Sequence, residues 1–195
     1  MKKVLKCLSL IICISLLFGC GSDNTTKLLT GKHNVQINIK DYGKVTLELN
    51  ADEAPITVTN FIKLAKAGFY DGLTFHRIID GQFIQGGDPL GNGLGGSDET
   101  IKGEFSSNGV SNKLSHTKGA ISMARTSQDM NSASSQFFIL IKDATYYDGS
   151  YACFGYVTDG LNIVEKVAKD AKVEDENGTV LKENQPVIES IVVID

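Results

Sequence analysis

Apolar residues alternate with polar ones at Val35, Ile37 and Ile39, and again at Val45, Leu47 and Leu49 beyond Asp41-Tyr42-Gly43. A period of two marks strands that each bury one face, and the polar break between them predicts a hairpin. The period then changes. Pro55 suits a first helical turn, where its missing N–H costs nothing, and Val58, Phe61, Ile62 and Ala65 follow at helical spacing until Gly68. A second helix is predicted from Leu161 to Ala168, with Ile163, Val164 and Val167 on one side. Short apolar runs fill the remainder, at 73–79, 83–84, 120–124, 137–141, 152–157 and 187–194, separated by Gly and Asn turns. Many short strands with few helices predict a mainly-β chain, a closed sheet or sandwich rather than a parallel α/β fold.

The first residues break this pattern. Lys2, Lys3 and Lys6 precede an uncharged apolar run from Cys7 to Phe18, the basic and apolar regions of a signal peptide. As a helix that run would cover about 18 Å, well short of a hydrocarbon core of about 30 Å, so a permanent span is not expected. The run ends Leu17-Phe18-Gly19-Cys20, which resembles the bacterial lipobox, with Cys20 as the lipidated residue. Two acyl chains on one cysteine would anchor firmly where one would not. The expected organisation is a signal peptide over 1–19, a lipid-anchored tether over 20–34 and one domain over 35–195, placed outside the cytoplasm on the membrane.

Loss of residues 1–19 would leave 16 basic against 23 acidic residues, a balance of −7, which argues against nucleic acid as a partner. Of the four cysteines only Cys20 and Cys153 would remain, and Cys153, between Ala152 and Phe154, reads as a small core residue rather than a nucleophile. His33, His76 and His116 share no metal-ligand spacing, and the glycine-rich 86–96 segment lacks the lysine and following helix of a phosphate cradle. No metal or cofactor is expected.

Three polar residues stand out in apolar runs. Arg77 needs either an acidic partner or a use for its charge. Gln85 and Gln136 each offer donor and acceptor, and suit either a hydrogen-bonded core or a binding site. Phe83, Met123, Phe138 and Tyr147 read equally as core or as pocket walls.

Phe75-His76-Arg77-Ile78-Ile79 leads through Asp80-Gly81 into Gln82-Phe83-Ile84-Gln85-Gly86-Gly87-Asp88-Pro89, and Ser134-Ser135-Gln136-Phe137-Phe138-Ile139 follows later. These segments resemble the two signature blocks of the cyclophilins, and Gly119–Ala124, Tyr147-Asp148-Gly149 and Phe154-Gly155 extend the likeness over roughly residues 35–194. The resemblance implies a closed eight-stranded antiparallel β-barrel capped by two α-helices. It also implies a peptidyl-prolyl cis/trans isomerase acting on proline-containing unfolded or flexible polypeptides, without cofactor or covalent intermediate. By the same resemblance Arg77, Gln85 and Phe138 are catalytic, and Phe83, Met123, Ala124, Arg125, Gln136, Tyr146, Tyr147 and Tyr151 bind substrate. The chain departs from the family at Gln82-Phe83, where Phe-Met is usual, and at Arg125, Tyr146 and Tyr151, where Asn, Trp and His are common. Tyrosine at 146 lacks an indole N–H, so cyclosporin binding is expected to be weakened. A module that holds proline-containing segments without catalysing their rotation is the competing expectation.

Overall fold

The computed structural model describes residues 27–195; the signal peptide and Cys20 lie outside them. The alternating segments form the predicted hairpin of β1 (Lys32–Ile39) and β2 (Gly43–Asn50), with Val35, Ile37, Ile39, Val45, Leu47 and Leu49 all buried. β1 starts at Lys32, and ahead of it Leu29 N donates to Thr59 Oγ1 at 2.8 Å and Gly31 N to Asp52 Oδ1 at 2.7 Å. The expected tether therefore overlaps the domain at its C-terminal end.

α1 (Pro55–Lys66) begins with proline in its first turn and buries Val58, Phe61, Ile62 and Ala65, as the spacing predicts. Ala54 supplies no side-chain cap, and Glu104 replaces it from a distant loop, accepting from Ile56 N at 3.0 Å and Thr57 N at 2.8 Å. A carboxylate there satisfies orphan N–H groups and faces the positive end of the helix. α2 (Leu161–Asp170) buries Val164, Val167 and Ala168.

The remaining strands are β3 (Thr74–Ile79), β4 (Phe83–Asp88), β5 (Ala120–Met123), β6 (Phe137–Leu140), β7 (Cys153–Asp159) and β8 (Ile188–Val193). All eight belong to one curled sheet in the order β3-β4-β6-β5-β7-β2-β1-β8, every pairing antiparallel. The expected closure is not reached. Edge strands β3 and β8 meet only near one bridge, Thr74–Val187, where Phe75 N donates to Pro186 O at 2.9 Å and Ile188 N to Leu73 O at 2.7 Å. Pro186 has no N–H to carry a ladder further. Past that point the 173–180 segment takes the edge of β3 instead: Ile78 N donates to Gly178 O at 2.7 Å and Val180 N to His76 O at 3.1 Å. The sheet is thus an open, curled half-barrel with a local cover on one edge.

Both faces of this sheet are packed. The inner face holds the main core, in which Phe61 meets Tyr70, Phe137 and Phe154 at ring separations of 5.1, 5.5 and 5.2 Å. A smaller cluster of Phe83, Ala120, Phe138, Leu140, Ala144 and Cys153 forms on the other face. Two-sided burial explains why 137–141 reads as an unbroken apolar run.

Candidate active site

Strand register brings the singled-out residues into one row. Arg77 on β3 pairs with Gln85 on β4, Gln85 pairs with Phe138 on β6, and Phe138 pairs with Ser122 on β5. Residues directly opposite in an antiparallel sheet share a face. The row crosses the outer cluster, and above it opens a pocket of about 120 Å³.

Phe83 and Phe138 make the floor, 5.9 Å apart and only 5% and 6% exposed. Tyr147 and Tyr151 stand edge-on to Phe138, each with its ring 5.8 Å away. Behind the floor the buried His116 ring stacks on Phe138 at 6.3 Å, and its Nδ1–H donates to Asp148 Oδ1 at 2.7 Å. Burial alone would raise the Asp148 carboxyl, but donors from Ser115 and His116 outweigh it and hold the carboxyl below its ordinary value. Ala124 and Arg125 complete the rim, the Arg125 guanidinium lying 4.9 Å from the Tyr151 ring centre.

Arg77 forms the polar wall. Its Nε donates to Asn177 O at 2.7 Å, its NH1 to Gln85 Oε1 at 3.3 Å, and its guanidinium lies 5.0 Å from the Phe83 ring centre. Among the described residues no carboxylate pairs with it. Of the two readings open for this arginine, the structural ion pair is therefore set aside. Gln85 Nε2 donates to Gln136 Oε1 at 2.9 Å, and Gln136 Nε2 donates to Gly93 O at 3.1 Å and Gly95 O at 2.7 Å. The two glutamines are thus a relay that fixes Gln85 and, through it, Arg77. The loop anchoring the relay is itself gathered by Asp88, which accepts from Leu90 N, Asn92 N and Gly93 N at 2.8, 3.0 and 2.6 Å. Burial would raise this carboxyl too, yet the converging N–H groups hold it low. The glycine-rich loop thus turns N–H groups onto its own aspartate.

Three expected binding residues stand apart from the pocket. Met123 is 1% exposed in the inner core, because it pairs with Phe137 and strand alternation turns both away from Phe138. Gln136 lines an adjoining recess with Arg125 and the 93–97 loop. Tyr146 is 70% exposed and lies tilted against Tyr147, ring centres 4.5 Å apart, outside the pocket. Gln82 is exposed on the β3–β4 turn, so Phe83 alone supplies that wall. Cys153 is buried with its thiol pushed up to about 11 by burial, as suits a core residue.

Asn177, Asp88 and His116 escaped the sequence reading as parts of the site. Asn177 acts through a backbone carbonyl, which any residue type carries. The adjoining Asn177-Gly178 pair, between Val173 and Val180, is nevertheless a turn signal that marks the covering hairpin.

Among the described residues the pocket lining holds no Asp, Glu, His or Cys, and burial foremost keeps the Tyr147 phenol above its ordinary value. It offers two guanidinium cations, an amide group and an apolar floor, a set suited to bond rotation rather than to proton transfer or nucleophilic attack. Residues 34–193 match the family model described as cyclophilin type peptidyl-prolyl cis-trans isomerase/CLD. Peptidyl-prolyl cis-trans isomerase B of Bacillus subtilis is 43% identical over 145 residues, covering 74% of this chain and 92% of that protein. A peptidyl-prolyl cis-trans isomerase of Helicobacter pylori is 42% identical over 134 residues, covering 68% and 79%. A cyclophilin type isomerase of Cryptosporidium parvum, solved in the presence of the dipeptide Ala-Pro, superposes with a TM-score of 0.73 at 30% identity, over 83% of this chain and 99% of that one. With its fold, its pocket and these likenesses in agreement, the chain belongs to the cyclophilin family and is an enzyme of the peptidyl-prolyl cis/trans isomerase class.

Proposed function

We propose that this isomerase accelerates rotation about Xaa-Pro bonds in polypeptides outside the cytoplasm, assisting their folding while a lipid on Cys20 holds it at the membrane. The observation that carries the catalytic part is the Arg77–Gln85–Phe138 row, in which an arginine with no carboxylate partner among the described residues borders a pocket with an aromatic floor. Amide resonance makes the barrier about 18–20 kcal/mol. With the proline ring on Phe83 and Phe138, Arg77 donates towards the prolyl amide and favours the deconjugated nitrogen of the twisted state. Gln85, held by Gln136, positions the chain beside it.

A rate gain of about 10⁴ to 10⁶ requires roughly 5.5 to 8 kcal/mol, and one preorganised donor supplies about 3 to 4. The aromatic floor and walls contribute the rest by desolvating the amide and binding the twisted form. The test is catalysed cis/trans exchange on a short Xaa-Pro peptide. Acceleration is expected; binding without acceleration would make the protein a holder.

Anchoring rests on Gly19-Cys20 at the end of the apolar run. Cys20→Ser is expected to release the protein from the membrane fraction or leave an unprocessed precursor. A variant that fractionates and migrates like wild type removes the lipid from the proposal.

A further inference from the structure

A second cleft, of about 620 Å³, shares Arg77 and Gln85 with the proline pocket and is otherwise built from different residues. Its walls come from His76 on β3, from the loop at Leu90–Gly93 and from the covering segment between Asn177 and Gln185. Two independent features give this cleft a chemical preference.

The first is charge. Arg77 and Lys182 line the cleft and, among the described residues, no Asp or Glu does. Neither cation is paired with a carboxylate among the described residues. Two acids lie nearby and keep their charge, but their oxygens are turned away from the cleft: Asp175 accepts from Asn177 N, Thr179 N and Thr179 Oγ1, and Asp88 from its own loop. Glu183 is exposed and outside the lining.

The second feature is His76. It is only 4% exposed, it lines the cleft, and neither ring nitrogen has a hydrogen-bond partner among the described residues. Buried imidazole nitrogens are ordinarily satisfied, so an unpartnered pair on a ring that lines a cavity, lying just beneath its surface, leaves hydrogen-bonding capacity for a ligand atom that reaches it. Burial, outweighing the nearby Asp88, holds its pKa below the ordinary value, so the ring is neutral near pH 7 and offers one N–H. A neutral donor beside two cations suits an anion.

We infer that this cleft is an acidic-residue subsite, in which Lys182 and His76 hold the side-chain carboxylate of an Asp or Glu close in sequence to the proline bound next door. The assignment rests on the isomerase reading for the position of the proline. The shared Arg77–Gln85 wall lets an extended client pass from pocket to cleft without leaving the protein surface.

The test uses the full-length protein and labelled Ala-Pro peptides blocked at both ends, carrying Glu or Gln at successive positions on either side of the dipeptide. Fluorescence anisotropy should show, at one position, the Glu peptide binding about 3- to 10-fold tighter than its Gln twin, the gap narrowing as salt rises. Lys182→Glu should abolish or reverse that gap while leaving affinity and exchange on the Gln peptide unchanged. Equal binding at every position, or a gap indifferent to Lys182→Glu, would overturn the subsite. A gain absent from these blocked peptides and seen only in a companion Gln peptide left with a free C-terminal carboxylate would overturn its assignment to a side chain. Because binding is read directly, a protein that binds both peptides but accelerates neither would sink the catalytic reading and leave this test decisive.

Discussion

Arg77 is held from two sides by neutral groups, a backbone carbonyl at Nε and an amide oxygen at NH1, with an aromatic ring at 5.0 Å. Neutral acceptors orient a guanidinium without cancelling its charge, as a carboxylate would. The side chain is therefore fixed yet still electrostatically available to a substrate amide. Arg77→Ala is expected to lower kcat and kcat/KM together by about 100- to 1,000-fold, the effect of losing one preorganised donor. Arg77→Lys should recover little, since an ammonium cannot reach two acceptors in the planar geometry of the fork. Circular dichroism and thermal melting should show both variants folded, and an unfolded Arg77→Ala would assign the residue to structure instead. Tyr146 carries a different prediction. Exposed and tilted against Tyr147, it offers a ring face but no indole N–H; the family resemblance implies at most weakened cyclosporin binding, which Tyr146→Trp should tighten in a titration. Unchanged affinity would mean that position 146 does not touch the drug.

The site is an alignment of elements as much as a set of residues. β3, β4 and β6 each contribute one member of the row, and the 173–180 hairpin adds the Asn177 carbonyl from outside the sheet. That hairpin depends on Gly178, whose φ is +86° and whose added Cβ would stand 2.5 Å from Ile78 O. Gly178→Ala should push the hairpin off β3 and free Arg77 Nε, lowering kcat about 10-fold or more, since small misplacements of a positioned group are costly. Gly31→Ala is the control: its φ of +78° brings the same backbone strain, of about 1 kcal/mol, but its Cβ meets nothing within 4 Å. The control should lower the melting temperature and leave kcat alone; equal losses of kcat would detach the hairpin from catalysis. The same elements explain what could be read in advance. The β1–β2 hairpin and α1 were legible because one-sided burial imposes a period, and Arg77, Gln85 and Gln136 because polar residues in apolar runs are conspicuous, whereas Phe138 stood out only through its match to a signature block. The open seam was not legible. It follows from Pro186 meeting β3 at the seam, and from a 173–180 segment whose polar turn hides its pairing with an edge strand. Met123 was misplaced because a strand buried on both faces gives no periodicity to say which side faces the pocket.

At the scale of the whole molecule the packing on both faces of the sheet has buried two imidazoles, His76 beside the new cleft and His116 behind the Phe138 floor. Burial foremost lowers the pKa of both, against the attraction of Asp88 for one and of Asp148 for the other. The unfolded chain takes up these protons near the ordinary value of about 6.5, whereas the folded chain refuses them until a lower pH. Stability from this source is therefore complete above about pH 6.5 and declines as pH falls from there to the folded-state values, below which it stops changing. The slope can reach about 1.4 kcal/mol per pH unit for each histidine. Asp88, Asp148 and Asp195 act in a separate, more acidic window, because their carboxyls are held low and their contribution is lost only as they protonate. Melting temperature should therefore fall between pH 7.5 and 5.5, before any of these carboxylates titrates. His116→Gln removes one titrating imidazole and should flatten that decline by about half, even though loss of the Asp148 contact lowers the melting temperature at every pH. His76→Gln should flatten it similarly, and the two together should leave little slope in that interval. A melting temperature that rises on acidification, or a slope untouched in the double variant, would mean that these imidazoles do not set the acid sensitivity of the fold.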